Sequence, residues 1–95
     1  MSEASLERAA CRYAKKRGVR SVKLQGGIVG EPDRLFLLPL GRCWLVEFKA
    51  VGGRVSPRQR LVHAEYEAIG HRVSVMVDIV GFRVALDSKL QATVD

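Results

Sequence analysis

Three side chains near the middle of the sequence have the types and spacing for phosphodiester chemistry: Asp33 in Pro32-Asp33, and Glu47 and Lys49 in Glu47-Phe48-Lys49. Two carboxylates and an amine drawn into one cleft lose hydration, and the acids repel each other, unless something charged joins them. Mg²⁺ or Mn²⁺ removes that cost, because a hard cation takes carboxylate oxygens and waters and leaves room for a phosphate oxygen. Held there, it polarises the phosphoryl group and lowers the pKa of a bound water, while a neighbouring amine orients or deprotonates that water. A plainer reading gives the same residues a structural role, with Asp33 capping a turn after Pro32 and with Glu47 and Lys49 as charges on an edge strand.

The elements that would position the trio follow from periodicity. Cys43 to Lys49 is an apolar, aromatic and β-branched run bounded by Gly41 and by Gly52-Gly53, which reads as a strand. Alternation then sends Glu47 and Lys49 to one face and Trp44, Val46 and Phe48 to the other. A preceding strand runs from Asp33 to Leu38, and Pro39-Leu40-Gly41-Arg42 suits a hairpin connection. Antiparallel pairing of the two brings Asp33 beside Glu47 to Lys49.

Around this hairpin the chain reads simply. An opening helix ends at Gly18, with Leu6, Ala9, Ala10, Tyr13 and Ala14 as its buried stripe and Arg8, Arg12, Lys15 and Lys16 on the opposite side. Glu7 lies at the border between the two. Val19 to Leu24 reads as a first strand with Arg20 and Lys23 as a basic fringe. Gln25-Gly26-Gly27 and Gly30-Glu31-Pro32 frame Ile28-Val29 as a connection. It has no phosphate-loop pattern, so no nucleotide cofactor is expected, and Glu31 reads as a solvent-facing acid.

Ser56 as N-cap and Pro57 at the first helical position predict a second helix from Pro57 to Ala68 or Ile69, stopped by Gly70, with Leu61, Val62, Tyr66 and Ile69 as its apolar stripe. Gln59 and His63 are one turn apart on the flank of that stripe. With Arg58 and Arg60 they sit near a helix N-terminus, which favours an anion. His63 reads as a surface or DNA-contacting histidine rather than a general base, and His71 as surface. Val73 to Val77 predicts an interior strand, parallel to the Glu47 strand through the helical crossover. Ile79 to Leu90 fits a short helix, another strand or an arm exchanged with a partner subunit.

Taken together, Glu7-Arg8 on the opening helix, Pro32-Asp33, Glu47-Phe48-Lys49 and Ser56-Pro57-Arg58-Gln59 resemble the VRR-NUC family of the PD-(D/E)xK nuclease superfamily. Glu65 to Val73 is similar to the helix, glycine and strand that follow the glutamine in that family. The resemblance spans about Leu6 to Asp78. It implies an α/β fold with a restriction-endonuclease-like αβββαβ core, a mixed sheet flanked by helices. It also implies that Asp33, Glu47 and the backbone carbonyl of Phe48 bind Mg²⁺ or Mn²⁺, that Glu7 reaches the ion directly or through water, that Lys49 acts on the attacking water and that Gln59 positions water or phosphate. Stand-alone members resemble homodimeric nucleases that cleave four-way DNA junctions, and larger relatives carry the module in repair nucleases.

Composition is compatible with that expectation. Ninety-five residues suit one domain near the lower size for a single core, so a second copy sharing apolar surface is expected. No apolar run is long enough to span a bilayer and the polar N-terminus does not suit a signal peptide, so a cytoplasmic protein of a bacterium or a phage-infected cell is expected. Cys11 and Cys43 fit neither a disulfide framework nor a zinc site. The net charge of +6 points to an anionic partner. Arg8, Arg12, Lys15, Lys16, Arg58 and Arg60 are the candidate DNA contacts. Two rival readings stay open, a non-catalytic nucleic-acid-binding module with the same fold and a restriction-like duplex endonuclease, although no base-reading set stands out.

Overall fold

Alternation along one central strand sorts the molecule into two faces. The computed structural model describes residues 1–24 and 28–92; the Gln25-Gly26-Gly27 part of the glycine-rich connection lies outside them. The elements are α1 (Glu3–Lys16), β1 (Arg20–Lys23), β2 (Arg34–Leu37), β3 (Cys43–Phe48), α2 (Pro57–Ala68), β4 (Val73–Met76) and α3 (Ile79–Gln91). The sheet order is β1-β2-β3-β4. β1, β2 and β3 form an antiparallel meander, and β4 returns parallel to β3 after the α2 crossover.

Trp44, Val46 and Phe48 face α1 and α3, where Phe36 and Phe82 complete an aromatic core. The rings of Trp44 and Phe82 stack at 5.3 Å, and Phe36 meets Phe82 at 5.2 Å. Leu6, Ala10 and Ala14 are the buried stripe of α1, as its periodicity predicts. Tyr13 donates to Asp87 and Arg17 pairs with the same carboxylate, which ties α1 to α3. The Trp44 indole N–H, otherwise stranded in this core, donates to Ser74 at 2.8 Å.

The structure departs from the sequence reading at β4 and α2, and it settles one segment left open. β4 is an edge strand rather than an interior one, and Val75 and Val77 are about two-fifths exposed. In α2 only Val62 and His63 are buried, whereas Leu61 and Ile69 are exposed. The ambiguous Ile79 to Leu90 segment is helix α3, capped by Asp78, whose side chain accepts from the Gly81 amide at 2.6 Å.

Candidate active site

The meander and the α2 cap assemble one cluster at the end of β3. Asp33 is locked where β2 begins: its amide donates to the Val46 carbonyl at 3.1 Å, and its Oδ2 accepts the Phe48 amide at 2.7 Å. The approach to it is tight, because Gly30 adopts φ +99° and a Cβ there would lie 2.9 Å from the Arg58 carbonyl oxygen. Register pairs Arg34 with Val46, so the hairpin brings Asp33 level with Glu47 and Phe48, as the antiparallel pairing predicts. Glu47 projects to the α2 side of the sheet and is only 2% exposed.

Helix α2 then closes over that acid. Gln59 stands at the third position of the helix, where its side-chain oxygen accepts the Ser56 amide at 2.9 Å while the Ser56 hydroxyl accepts the Gln59 amide at 3.1 Å. This reciprocal cap fixes which way the Gln59 amide faces, and its NH₂ donates to Glu47 Oε2 at 3.2 Å. Lys49 Nζ lies 3.8 Å from the same oxygen. One turn on, His63 Nε2 sits 3.6 Å from Glu47 Oε1, beyond hydrogen-bond reach, and both atoms are buried without a hydrogen-bond partner.

Such a setting reshapes the acid. Burial pushes the Glu47 carboxyl up to a pKa of about 8; the negative charge of Asp33 adds to the rise and Lys49 opposes it. Burial lowers the pKa of His63 below the ordinary imidazole value. The structure therefore revises the surface reading of His63. Nothing in the sequence of α2 pairs that histidine with a carboxylate on the preceding strand.

Glu7 is brought elsewhere. Its Oε2 accepts from Arg34 at 2.6 Å and pairs with Lys23 at 3.3 Å, and no contact among the described residues joins it to Asp33 or Glu47. Glu3, which sequence reasoning passed over, adds a minor electrostatic push to the rise in Glu47. Glu31 is half-buried and accepts the Tyr66 hydroxyl, which raises that phenol to about 12. Arg8, Arg12, Lys15 and Lys16 line the exposed side of α1; Arg58 and Arg60 stand at the start of α2, bonded to the Val29 and Val55 carbonyls.

Among the described residues no three histidine, cysteine or acidic side chains gather into a metal cluster. The donors present are the carboxylates of Asp33 and Glu47, hard oxygens suited to a cation that keeps several of its waters. The partnerless Glu47 Oε1 fits such a cation, since a buried acid gains a counter-charge by binding it.

The sheet order, crossover and flanking helices define a restriction-endonuclease-like α/β fold. A solved structure described as "VRR_NUC domain" superposes with a TM-score of 0.81 at 26% identity, over 90% of this chain and 94% of that one. The chain is also 39% identical over 75 residues to "Putative nuclease p44" of Acyrthosiphon pisum secondary endosymbiont phage 1, covering 78% of this chain and 81% of the relative. No family profile matches the chain. The protein belongs to the VRR-NUC nuclease family.

Proposed function

We propose that the chain is a divalent-cation-dependent endodeoxyribonuclease that hydrolyses phosphodiester bonds in branched DNA, foremost four-way junctions, as a homodimer in the cytoplasm. The observation that carries this reading is the buried, partnerless Glu47 Oε1 beside Asp33, Lys49 and Gln59. Asp33, Glu47 and the Phe48 carbonyl would hold Mg²⁺ or Mn²⁺, which when bound supplies phosphoryl polarisation and a readily ionised water.

The chain's own groups do the rest. Lys49, its side chain 12% exposed, orients the attacking water and meets a phosphate oxygen. Gln59 holds Glu47 Oε2 so that Oε1 is left for the ion. Arg58 and Arg60 each retain guanidinium N–H groups for a phosphate at the positive end of α2. Glu7 contributes by fixing Arg34 next to Asp33. Homodimerisation is supported by apolar side chains left open on the α2 face of the sheet: Val22, Leu37 and Val75 are 38%, 42% and 41% exposed. A four-way junction asks for paired incisions, which a twofold pair of single-site subunits supplies.

The test is cleavage of a labelled four-way junction, a linear duplex and a splayed arm in Mg²⁺, Mn²⁺ and EDTA. Cutting is expected on the junction, lost in EDTA and in Asp33→Ala, Glu47→Ala and Lys49→Ala, with DNA binding kept. Wild-type binding without cutting of any substrate would overturn the proposal in favour of a binding module. Equal cutting of linear duplex would favour a restriction-like enzyme.

A further inference from the structure

A groove of about 500 Å³ runs between α1 and the start of β1, lined by Cys11, Arg12, Lys15, Val19, Arg20 and Ser21. It takes no part in the cluster around Glu47. We propose that this groove is a second phosphate-binding site, gripping the DNA backbone of an arm that flanks the one being cut; the proposal rests on the nuclease reading.

The argument is a contrast in counter-charge. Around α1, Glu7 neutralises Lys23 and Arg34, and Asp87 neutralises Arg17. Arg12, Lys15 and Arg20 line the groove, no acid among the described residues does, and no ion pair there holds any of the three. Uncompensated like charges repel by roughly 1 kcal/mol per close pair even in water, and a phosphate reverses the sign of that term. The Ser21 hydroxyl adds a neutral donor. Arg8 and Lys16 extend the exposed charge along α1, so the feature is a track suited to a polyanion and not a cage for one small ion.

Location assigns the track to a different stretch of DNA from the scissile one. Arg20 pairs with Leu37, and Leu37 with Cys43, at the opposite end of the sheet from Glu47. Glu47 lies four residue steps along the strand from Cys43, about 13 Å. Helix α1 also packs on the face opposite α2, so a straight duplex lying along α2 leaves Arg12 and Lys15 free, while Arg20, paired with Leu37, stands on the β1 edge. A branched or sharply bent DNA, with an arm turned round the β1 edge, reaches both.

The test compares wild type, Arg12→Gln/Arg20→Gln and Lys15→Gln in binding a four-way junction and a 12-base-pair duplex across a salt series. For the double variant the junction Kd is expected to rise about tenfold or more, and its log–log salt slope to flatten by about two, at roughly 0.9 per phosphate contact. Duplex binding should change less than twofold. Lys15→Gln should flatten the slope by about one. Thermal midpoints at low salt should be equal to or above wild type, because repulsion has been removed, which separates lost binding from lost folding. An unchanged junction affinity and slope in both variants would overturn the proposal. So would thermal protection of wild type by millimolar inorganic phosphate with no junction effect, which would assign the groove to a small anion. Failure of the wild type to cut any DNA would count against the nuclease reading, whereas the binding slopes would still decide whether the groove holds DNA.

Discussion

Glu47 joins a strand, a helix cap and a lysine through two oxygens, and only one of those oxygens is satisfied. Its raised pKa sets a pH signature. Because the folded value, about 8, lies above the unfolded one, its contribution to stability is fully present below the unfolded value of 4.5 and is lost as pH rises toward 8. His63 shifts downward and so acts in the other sense, weakening the fold as pH falls below its unfolded value of 6.5. Between pH 6.5 and 8 the Glu47 effect stands alone. Ion-free wild type should therefore lose stability across that window while Glu47→Gln stays flat, as read from denaturant midpoints; parallel curves would refute the assignment. His63→Leu, which removes an unpaired buried nitrogen, should stabilise the ion-free protein by about 1 kcal/mol. A loss of stability in that variant would show that the imidazole is satisfied after all. Of these residues, Glu47 and Lys49 were legible from alternation, Asp33 from the hairpin pairing, and Gln59 only from the resemblance to the family's helical glutamine. His63 was not, since α2 carries polar residues on all sides and a helical pattern cannot show which acid its histidine faces.

At the scale of elements, α3 shows why periodicity misleads. Val80, Phe82, Val84 and Leu86 alternate as a strand would, yet the helix buries Phe82 and Leu86 and leaves Val80 and Val84 about two-thirds exposed. The Asp78 cap settles the matter locally, and the aromatic cluster settles it globally. Phe82→Ala should cost about 3–5 kcal/mol by urea denaturation, because three rings lose their common neighbour; a cost under 1 kcal/mol would mean that α3 is peripheral. The hairpin and its register were legible because turn chemistry and alternation agreed. The edge position of β4 was not, since a dense apolar run looks the same whether its second face meets a layer or solvent. Gly30→Ala tests the link from the connection to α2: strained backbone and a 2.9 Å approach to Arg58 should destabilise the chain by 1 kcal/mol or more, about the scale of local backbone strain.

At the scale of the whole molecule, 16 basic residues against 10 acidic ones leave a chain suited to a polyanion, but the surplus is unevenly spent on internal pairs. The homodimer reading predicts a solution mass of twice 10.5 kDa by light scattering, with Leu37→Glu returning it to the monomer value; a monomer mass for wild type at high concentration would remove the dimer. A last consequence concerns the order in which the chain acquires its parts. The hydrogen bond from the Phe48 amide to Asp33 spans 15 residues within the meander, whereas β4 joins β3 only after the whole α2 crossover. Loop closure is cheaper for the shorter span, so the two acids meet while Gln59 and His63 are still unplaced. A divalent cation is thus expected to speed refolding, seen as a steeper rise in the folding limb than a fall in the unfolding limb, by drawing together a hairpin that like charges would otherwise hold apart.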